Sequence, residues 1–182
     1  MHFDHDLIIK LTEKYGTPLY VYSEAVLRDR CREMKNLLPR ENVRINYSAK
    51  ANTNLDLLKI IKDEGLDADA MSPGEIYIEQ LAGFESDRIF FIPNNVSEDE
   101  MRFAIERNIL ISVDSLSQLE MYGQINPGGN VAVRFNPGIG AGHHEKVVTA
   151  GKKTKFGVQM EFIPQVKDII KKYNLKLVGI NQ

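Results

Sequence analysis

The sequence predicts a parallel α/β fold, more specifically an incomplete (β/α)8 barrel with about six of its strands. Short apolar runs alternate with helical patterns along most of the chain, and the early strands recur roughly every 20 residues. This spacing is the length of a strand–helix unit whose strands pair in parallel. Polar and charged residues recur directly after several strands, which is typical of a barrel whose site lies at the carboxyl ends of its strands.

Residues 1–38 are predicted to lead into the barrel, which would occupy residues 39–182. Residues 4–15 have the apolar spacing of a short amphipathic helix. Leu19–Tyr22 has the composition of a strand, and Ser23 is placed as the N-cap of a helix that reaches the end of this first segment.

Strands and helices then alternate. The barrel strands are predicted near residues 43–47, 66–70, 89–92, 109–113, 130–135 and 175–180, and the helices at about 54–64, 73–82, 97–107, 115–122 and 161–172. Ser72, Ser97 and Ser115 are each followed three residues later by Glu or Gln, which is the form of a capping box. Gly65 and Gly123 stand where C-terminal caps are expected.

An open doubly wound sheet is the other fold that parallel strands allow. Such a sheet is favoured by a G-x-G-x-x-G turn after the first strand, and the sequence has none there. A closed barrel needs eight strands, whereas the sixth ends with the chain at Gln182. Because an unclosed sheet leaves two open edges, we expect this chain to be a truncated portion of a longer protein.

The composition is that of an ordinary globular protein, with 182 residues, 26% charged residues and a net charge of −2. This charge gives no general attraction for nucleic acid or for an anionic membrane. The single cysteine, Cys31, cannot form an internal disulfide, and no apolar run reaches membrane-spanning length. The expected location is the cytoplasm.

Lys50 is the first candidate for chemistry. It follows an apolar run and stands at a strand-to-helix turn, with the small residues Ser48, Ala49 and Ala51 around it. Partial burial would favour a neutral lysine amine, and a neutral amine can form a Schiff base with an aldehyde. Position alone also allows an ordinary solvated loop lysine.

Asp69 and Arg134 are the next candidates, because each ends a predicted strand. In a barrel, Asp69 would lie on the same face as Lys50 and could pair with it or tune a bound cofactor; alternatively, it caps the next helix. Arg134 lies in an alternating apolar strand, where an unpaired guanidinium is costly to bury. It should therefore meet an anionic or polar partner at the barrel mouth, or form a structural salt bridge.

Residues 136–144 form a long glycine-dense loop, which is unusual in a compact barrel and points to function. Its glycines do not have the spacing of a nucleotide-binding loop. His143 and His144 are adjacent and would point in different directions in an extended chain, so no metal site is predicted. Lys155-Phe156-Gly157 closes the loop, either over the site or over the barrel rim.

Several motifs together resemble one family. Tyr47-Ser48-Ala49-Lys50-Ala51-Asn52 resembles the Y-A-x-K-A-N motif of fold-type III decarboxylases that use pyridoxal 5'-phosphate (PLP), and residues 69–75 resemble their D-x-x-S-x-G-E. Arg134-Phe135-Asn136-Pro137 followed by Lys155-Phe156-Gly157 resembles the R-x-N-P and K-F-G motifs of diaminopimelate decarboxylases. The resemblance covers nearly the whole chain.

The resemblance implies a role for each candidate. Lys50 would be the Schiff-base lysine for PLP, Asp69 an active-site acid near it, and Arg134 a residue near the cofactor, while Ser72 and Glu75 would support the turn. The implied reaction is decarboxylation of the amino acid meso-2,6-diaminopimelate to L-lysine and CO2, with PLP taking up the electrons. A homodimer is also implied.

The resemblance also leaves alternatives. A ring-stacking histidine, a glycine-rich phosphate loop, a glutamate at the cofactor nitrogen and a partner-subunit cysteine would all lie beyond Gln182, so we expect the isolated chain to be inactive and to bind PLP weakly. Another fold-type III decarboxylase, acting on ornithine, lysine, arginine or carboxynorspermidine, would share most of the motifs. A non-catalytic PLP-binding barrel is the third possibility.

Overall fold

A computed structural model describes residues 4–38, 40, 42–139, 151 and 156–182. The strands are β1 (Asn46–Ser48), β2 (Asp67–Ala70), β3 (Ile89–Phe91), β4 (Leu110–Val113), β5 (Asn130–Asn136), β6 (Val158–Gln159) and β7 (Lys176–Asn181). The helices are α1 (His5–Tyr15), α2 (Glu24–Asn36), α3 (Leu55–Asp63), α4 (Pro73–Ala82), α5 (Glu98–Glu106), α6 (Leu116–Ile125) and α7 (Ile163–Lys172).

All strand pairs in the sheet are parallel. Strands β1 to β5 follow one another in sequence order, β7 pairs with β5 along Asn130–Arg134, and β6 pairs with the last two residues of β5. Within the described residues, β1 and β7 each have one neighbour only, so the sheet is open. The predicted incomplete barrel is therefore confirmed, including its six main strands.

The core lies between the outer face of this sheet and the helices. Alternate strand residues with less than 1% exposure fill it: Ala68, Ala70, Phe91, Ile111, Val113, Val131 and Val133. Because side chains alternate along a strand, Asp67 and Asp69 of β2 share the opposite, concave face. No described helix has the length and apolar character needed to cross a membrane.

The strand predicted at Leu19–Tyr22 is wrong. This stretch has no strand structure, and its four side chains are exposed, Tyr20 at 86%. A strand needs a neighbouring backbone to complete its hydrogen bonds, and no described strand lies beside this one. The short strand β6 was not predicted from the sequence, because two residues are too few to show an alternating apolar pattern.

The three predicted serine N-caps form. In two of them, however, the Glu or Gln three residues later accepts from a backbone N–H that precedes the serine. Ser97 and Glu100 make the complete capping box. Glu75 instead accepts from the backbone N–H of Met71, and Gln118 from that of Asp114. These two side chains therefore hold the ends of β2 and β4 as well as starting a helix.

Gly65 follows the end of α3 in a left-handed conformation, as a terminal cap requires. Gly123, by contrast, lies inside α6, and the predicted cap there is wrong. A Cβ atom at this position would lie 2.3 Å from the ring of Tyr173. Gly123 is therefore a packing residue between α6 and α7.

Candidate functional site

A cavity of about 160 Å³ lies at the carboxyl ends of the strands. Its lining comes from five strands or the turns directly after them: Ser48, Lys50, Asp69, Met71, Ile92, Arg134 and Asn181. All three residues that the sequence singles out, Lys50, Asp69 and Arg134, are therefore brought together. Carboxyl ends of parallel strands meet at one edge of a sheet, which is why residues far apart in sequence share this cavity.

Lys50 lies in a single helical turn, Ala49–Ala51, directly after β1. The turn is tied down through Asn52, whose carbonyl accepts from the Tyr47 hydroxyl at 3.3 Å and whose side-chain amide donates to the Tyr22 oxygen at 2.9 Å. Lys50 itself is exposed. Of the two environments considered for Lys50, the described part of the chain shows the solvated one rather than partial burial.

Asp69 lies directly opposite Ser48 in the β1–β2 register and is half-buried. Its Oδ1 accepts a hydrogen bond from the Ser48 hydroxyl at 2.9 Å. Within the described residues, no ion pair joins Asp69 to Lys50 or to Arg134, although all three line the same cavity. The carboxylate and the two cations therefore face a shared space rather than neutralising one another.

The turn after β2 supports this arrangement. Ser72 Oγ accepts from the Glu75 backbone N–H at 3.2 Å, and the Glu75 carboxylate accepts from the Met71 backbone N–H at 2.7 Å. Met71 lines the cavity. Ser72 and Glu75 thus support the turn, as predicted.

Arg134 is half-buried, and its guanidinium carbon lies 5.3 Å from the centre of the Phe156 ring. This is the range of a cation–π contact, which holds the guanidinium in place without supplying a negative charge. Burial raises the pKa of the Asp114 carboxyl, and the positive charge of Arg134 opposes that increase. In the described chain Arg134 forms no ion pair within 4.0 Å, so the structural salt bridge considered for it is not observed.

Asn136, which is 1% exposed, organises the chain beyond Arg134. Its Oδ1 accepts from the backbone N–H groups of Gly138 and Gly151, and its Nδ2 donates to the carbonyls of Gly151 and Phe156. Gly157 has a φ of +78°, and a Cβ atom there would lie 3.0 Å from the Asn136 backbone nitrogen. The R-x-N-P and K-F-G motifs are thus joined through one asparagine, and Phe156 is set against Arg134.

Sequence reasoning missed part of the lining. Asn181 comes from the last strand and donates to Ser112 Oγ at 3.2 Å. No local pattern marks it, because its place depends on the pairing of β7 with β5. His143, His144 and Lys155 lie outside the described residues, and the predictions made for them stay predictions.

A larger cavity of about 600 Å³ lies at the amino ends of the strands. Among its lining residues, Asp67 is 6% exposed and accepts from the guanidinium groups of both Arg44 and Arg88. Arg88 also donates to the carbonyl of Leu66. These groups satisfy one another, and Lys50, Asp69 and Arg134 line the other cavity. We therefore place the candidate site at the smaller cavity.

Known proteins are similar to this chain in both sequence and fold. The chain is 42% identical over 176 residues to a diaminopimelate decarboxylase of Methanothermobacter thermautotrophicus, covering 95% of this chain and 41% of that protein. The structure resembles diaminopimelate decarboxylase from Helicobacter pylori complexed with L-lysine, with a TM-score of 0.88, 28% identity and coverage of 95% of this chain and 45% of that one. It also resembles the enzyme from M. jannaschii in co-complex with L-lysine, with a TM-score of 0.78, 34% identity and coverage of 95% and 43%.

The chain thus spans about 40% of the length of these relatives. The family model for the pyridoxal-dependent decarboxylase, pyridoxal binding domain, matches residues 24–182. This match takes in every residue of the small cavity and leaves α1 outside. The chain therefore belongs to the family of pyridoxal-dependent decarboxylases, as a pyridoxal-binding domain.

Proposed function

We propose that this chain supplies the lysine-bearing part of a PLP site in a protein that decarboxylates meso-2,6-diaminopimelate to L-lysine and CO2. The observation that carries the proposal is the position of Lys50 in one cavity with Asp69 and Arg134, at the carboxyl ends of the strands. When bound, PLP supplies the electron sink that lets an amino acid lose its carboxylate.

The side chains of the cavity fit this cofactor. Lys50 offers a primary amine to the aldehyde, and its exposure leaves the amine accessible. Lys50 and Arg134 carry two positive charges against the one negative charge of Asp69. This balance suits a ligand with anionic groups, such as a phosphate or the carboxylate of an amino acid.

We assign Lys50 as the covalent attachment point, Asp69 as a proton acceptor or donor beside it, and Arg134 as a binding residue for the cofactor or its substrate. Asp69 has acceptor capacity left after its bond with Ser48, because a carboxylate offers several acceptor sites. Arg134 is held by Phe156 without losing its charge. Each proposed role uses one functional group: the amine of Lys50, the carboxylate of Asp69 or the guanidinium of Arg134.

The proposed substrate rests on the relatives. Relatives similar in sequence carry the name diaminopimelate decarboxylase, and the two similar structures described above are complexes with L-lysine, the product of the proposed reaction. We further propose a cytoplasmic location and a homodimer. The division into residues 1–38 and 39–182 remains a prediction.

The first test is the absorption spectrum of the purified chain with PLP. PLP is added in excess, because we expect this chain to bind it weakly. We then expect a weak band near the edge of the visible range. Lys50→Ala should remove this band, and Lys59→Ala, which replaces an exposed lysine on α3, should leave it unchanged. Borohydride reduction and peptide mass analysis then locate the adduct. Attachment spread equally over several lysines, with no loss in Lys50→Ala, would contradict the assignment.

The second test concerns the substrate. CO2 release is measured from meso-2,6-diaminopimelate, ornithine, lysine and arginine, for this chain and for any longer native protein that contains it. Release from diaminopimelate alone supports the proposal. Release from one of the other amino acids instead would replace the proposed substrate. No release from the isolated chain is the result expected of a truncated portion, whereas PLP binding by the longer protein with no release from any of the four would favour a non-catalytic PLP protein.

A further inference from the structure

Ser48 is a polar side chain of the cavity that directly contacts Asp69, one of the proposed site residues. Its hydroxyl donates to Asp69 Oδ1 at 2.9 Å, and both residues line the cavity with Lys50. The two residues lie opposite each other in neighbouring parallel strands, so the contact is built into the sheet register. We propose that Ser48 is a positioning residue that fixes the Asp69 carboxylate in one orientation beside Lys50.

The hydrogen-bonding inventory of Asp69 supports this role. Among the described residues, Ser48 is the one side chain that donates a hydrogen bond to this carboxylate, and no cation lies within ion-pair distance of it. A half-buried aspartate with no such contact would sample several staggered rotamers. A charge-assisted hydrogen bond from a strand residue favours the rotamer that makes this bond.

The position of Ser48 makes the contact rigid. Ser48 ends β1, its backbone is paired with β2, and the next residue, Ala49, is fully buried. The hydroxyl therefore sits on a fixed strand rather than on a loop. Alanine, which has no side-chain donor, stands at this position of the Y-A-x-K-A-N motif, so the contact distinguishes this chain from that motif.

Three variants separate positioning from general structural damage. Ser48→Ala removes the donor, and Ser48→Thr keeps a hydroxyl on a residue that favours strands. Ser86→Ala is the matched control, because Ser86 is also half-buried but lies before β3, at the opposite end of the sheet.

The first measurement needs no cofactor. Couplings to the Asp69 β protons, measured by NMR, report the side-chain rotamer. We expect a single rotamer in the unsubstituted chain, in Ser48→Thr and in Ser86→Ala, and averaging in Ser48→Ala. A single rotamer in Ser48→Ala, or averaging already present in the unsubstituted chain, would overturn the inference.

The second measurement rests on the proposed function. PLP is trapped on Lys50 by borohydride at increasing PLP concentration, and the labelled peptide is quantified. Ser48→Ala should need roughly two- to tenfold more PLP, as expected for the loss of one hydrogen bond that orients a site residue. Unchanged trapping in Ser48→Ala would overturn the link to the cofactor. If the unsubstituted chain traps no PLP on Lys50, the proposed function fails for this chain, while the NMR couplings still decide the role of Ser48.

Discussion

Glu79 is a buried acid whose ionisation should make stability depend on pH. Its side chain on α4 is 0% exposed, and among the described residues neither carboxylate oxygen has a hydrogen-bond partner. The charges that act on it are those of Glu75 and Asp69, which are also negative. Burial, reinforced by these two carboxylates, raises the pKa of Glu79 from 4.5 to about 8. The folded chain therefore holds a neutral carboxylic acid here at neutral pH.

The size of the effect follows from the two pKa values. Between pH 4.5 and about 8, the unfolded chain has released this proton and the folded chain still holds it. The free energy of unfolding should then fall by about 1.4 kcal/mol for each pH unit, because the unfolded state binds fewer protons. Over the interval this amounts to roughly 5 kcal/mol, as an upper value. Below pH 4.5 the contribution is complete, and above about pH 8 it is lost.

The assay compares Glu79→Gln with the unsubstituted chain by urea unfolding at pH 5, 6, 7 and 8. Glutamine keeps the shape of the side chain and does not titrate, so its stability relative to glutamate should rise steadily with pH. Glu106→Gln is the control, since Glu106 is an exposed helical glutamate at the end of α5. Its pH dependence should follow that of the unsubstituted chain.

The deciding quantity is the difference in the free energy of unfolding between Glu79→Gln and the unsubstituted chain. If this difference stays constant from pH 5 to pH 8, Glu79 does not titrate in that range. The carboxylate would then be ionised in the folded chain, with a cation or water beside it. The interpretation of Glu79 as a buried neutral acid would be wrong.

Two further substitutions test packing and the loop. Gly123→Ala should destabilise the chain by about 1–3 kcal/mol in thermal unfolding, because the new methyl group would overlap the Tyr173 ring. Gly74→Ala, whose Cβ would meet only Ser72 Oγ at 3.8 Å, should be neutral or stabilising; equal losses for both would refute the packing argument. Asn136→Asp should cost about 2–4 kcal/mol in urea unfolding, because the carboxylate cannot donate to the two carbonyls that Nδ2 contacts. The exposed Asn130→Asp should change little, and a similarly small effect of Asn136→Asp would mean that these bonds do not hold the loop.

The fold could be predicted from sequence where the signals are local. Each βα unit combines an apolar strand with a capped helix, and the caps at Ser72, Ser97 and Ser115 form as expected. The wrong predictions concern residues whose structure depends on contacts with distant parts of the chain. Leu19–Tyr22 has strand composition but no strand beside it in the described chain, and Gly123 has cap composition but lies against Tyr173.

The same distinction applies to the site. Lys50, Asp69 and Arg134 could be found because a polar residue that ends a barrel strand has a predictable place. Asn181 could not be found, because its place depends on strand pairing between distant parts of the chain. Outside the site, the burial of Glu79 is only weakly indicated by the sequence: it lies three residues from both Ile76 and Ala82, on the buried stripe of α4.

In strand β2, one register determines both the ion pairs of Asp67 and the position of the site residue Asp69. Its sequence Asp67-Ala68-Asp69-Ala70 puts both carboxylates on the concave face, and a slip of one residue would turn them toward the helices. Asp67 is buried between two arginines, which offset the cost of removing its charge from water. Asp69 has only the Ser48 hydroxyl among the described side chains, so its charge remains available to the cavity. The ion pairs of Asp67 therefore favour the register in which Asp69 lines the cavity with Lys50.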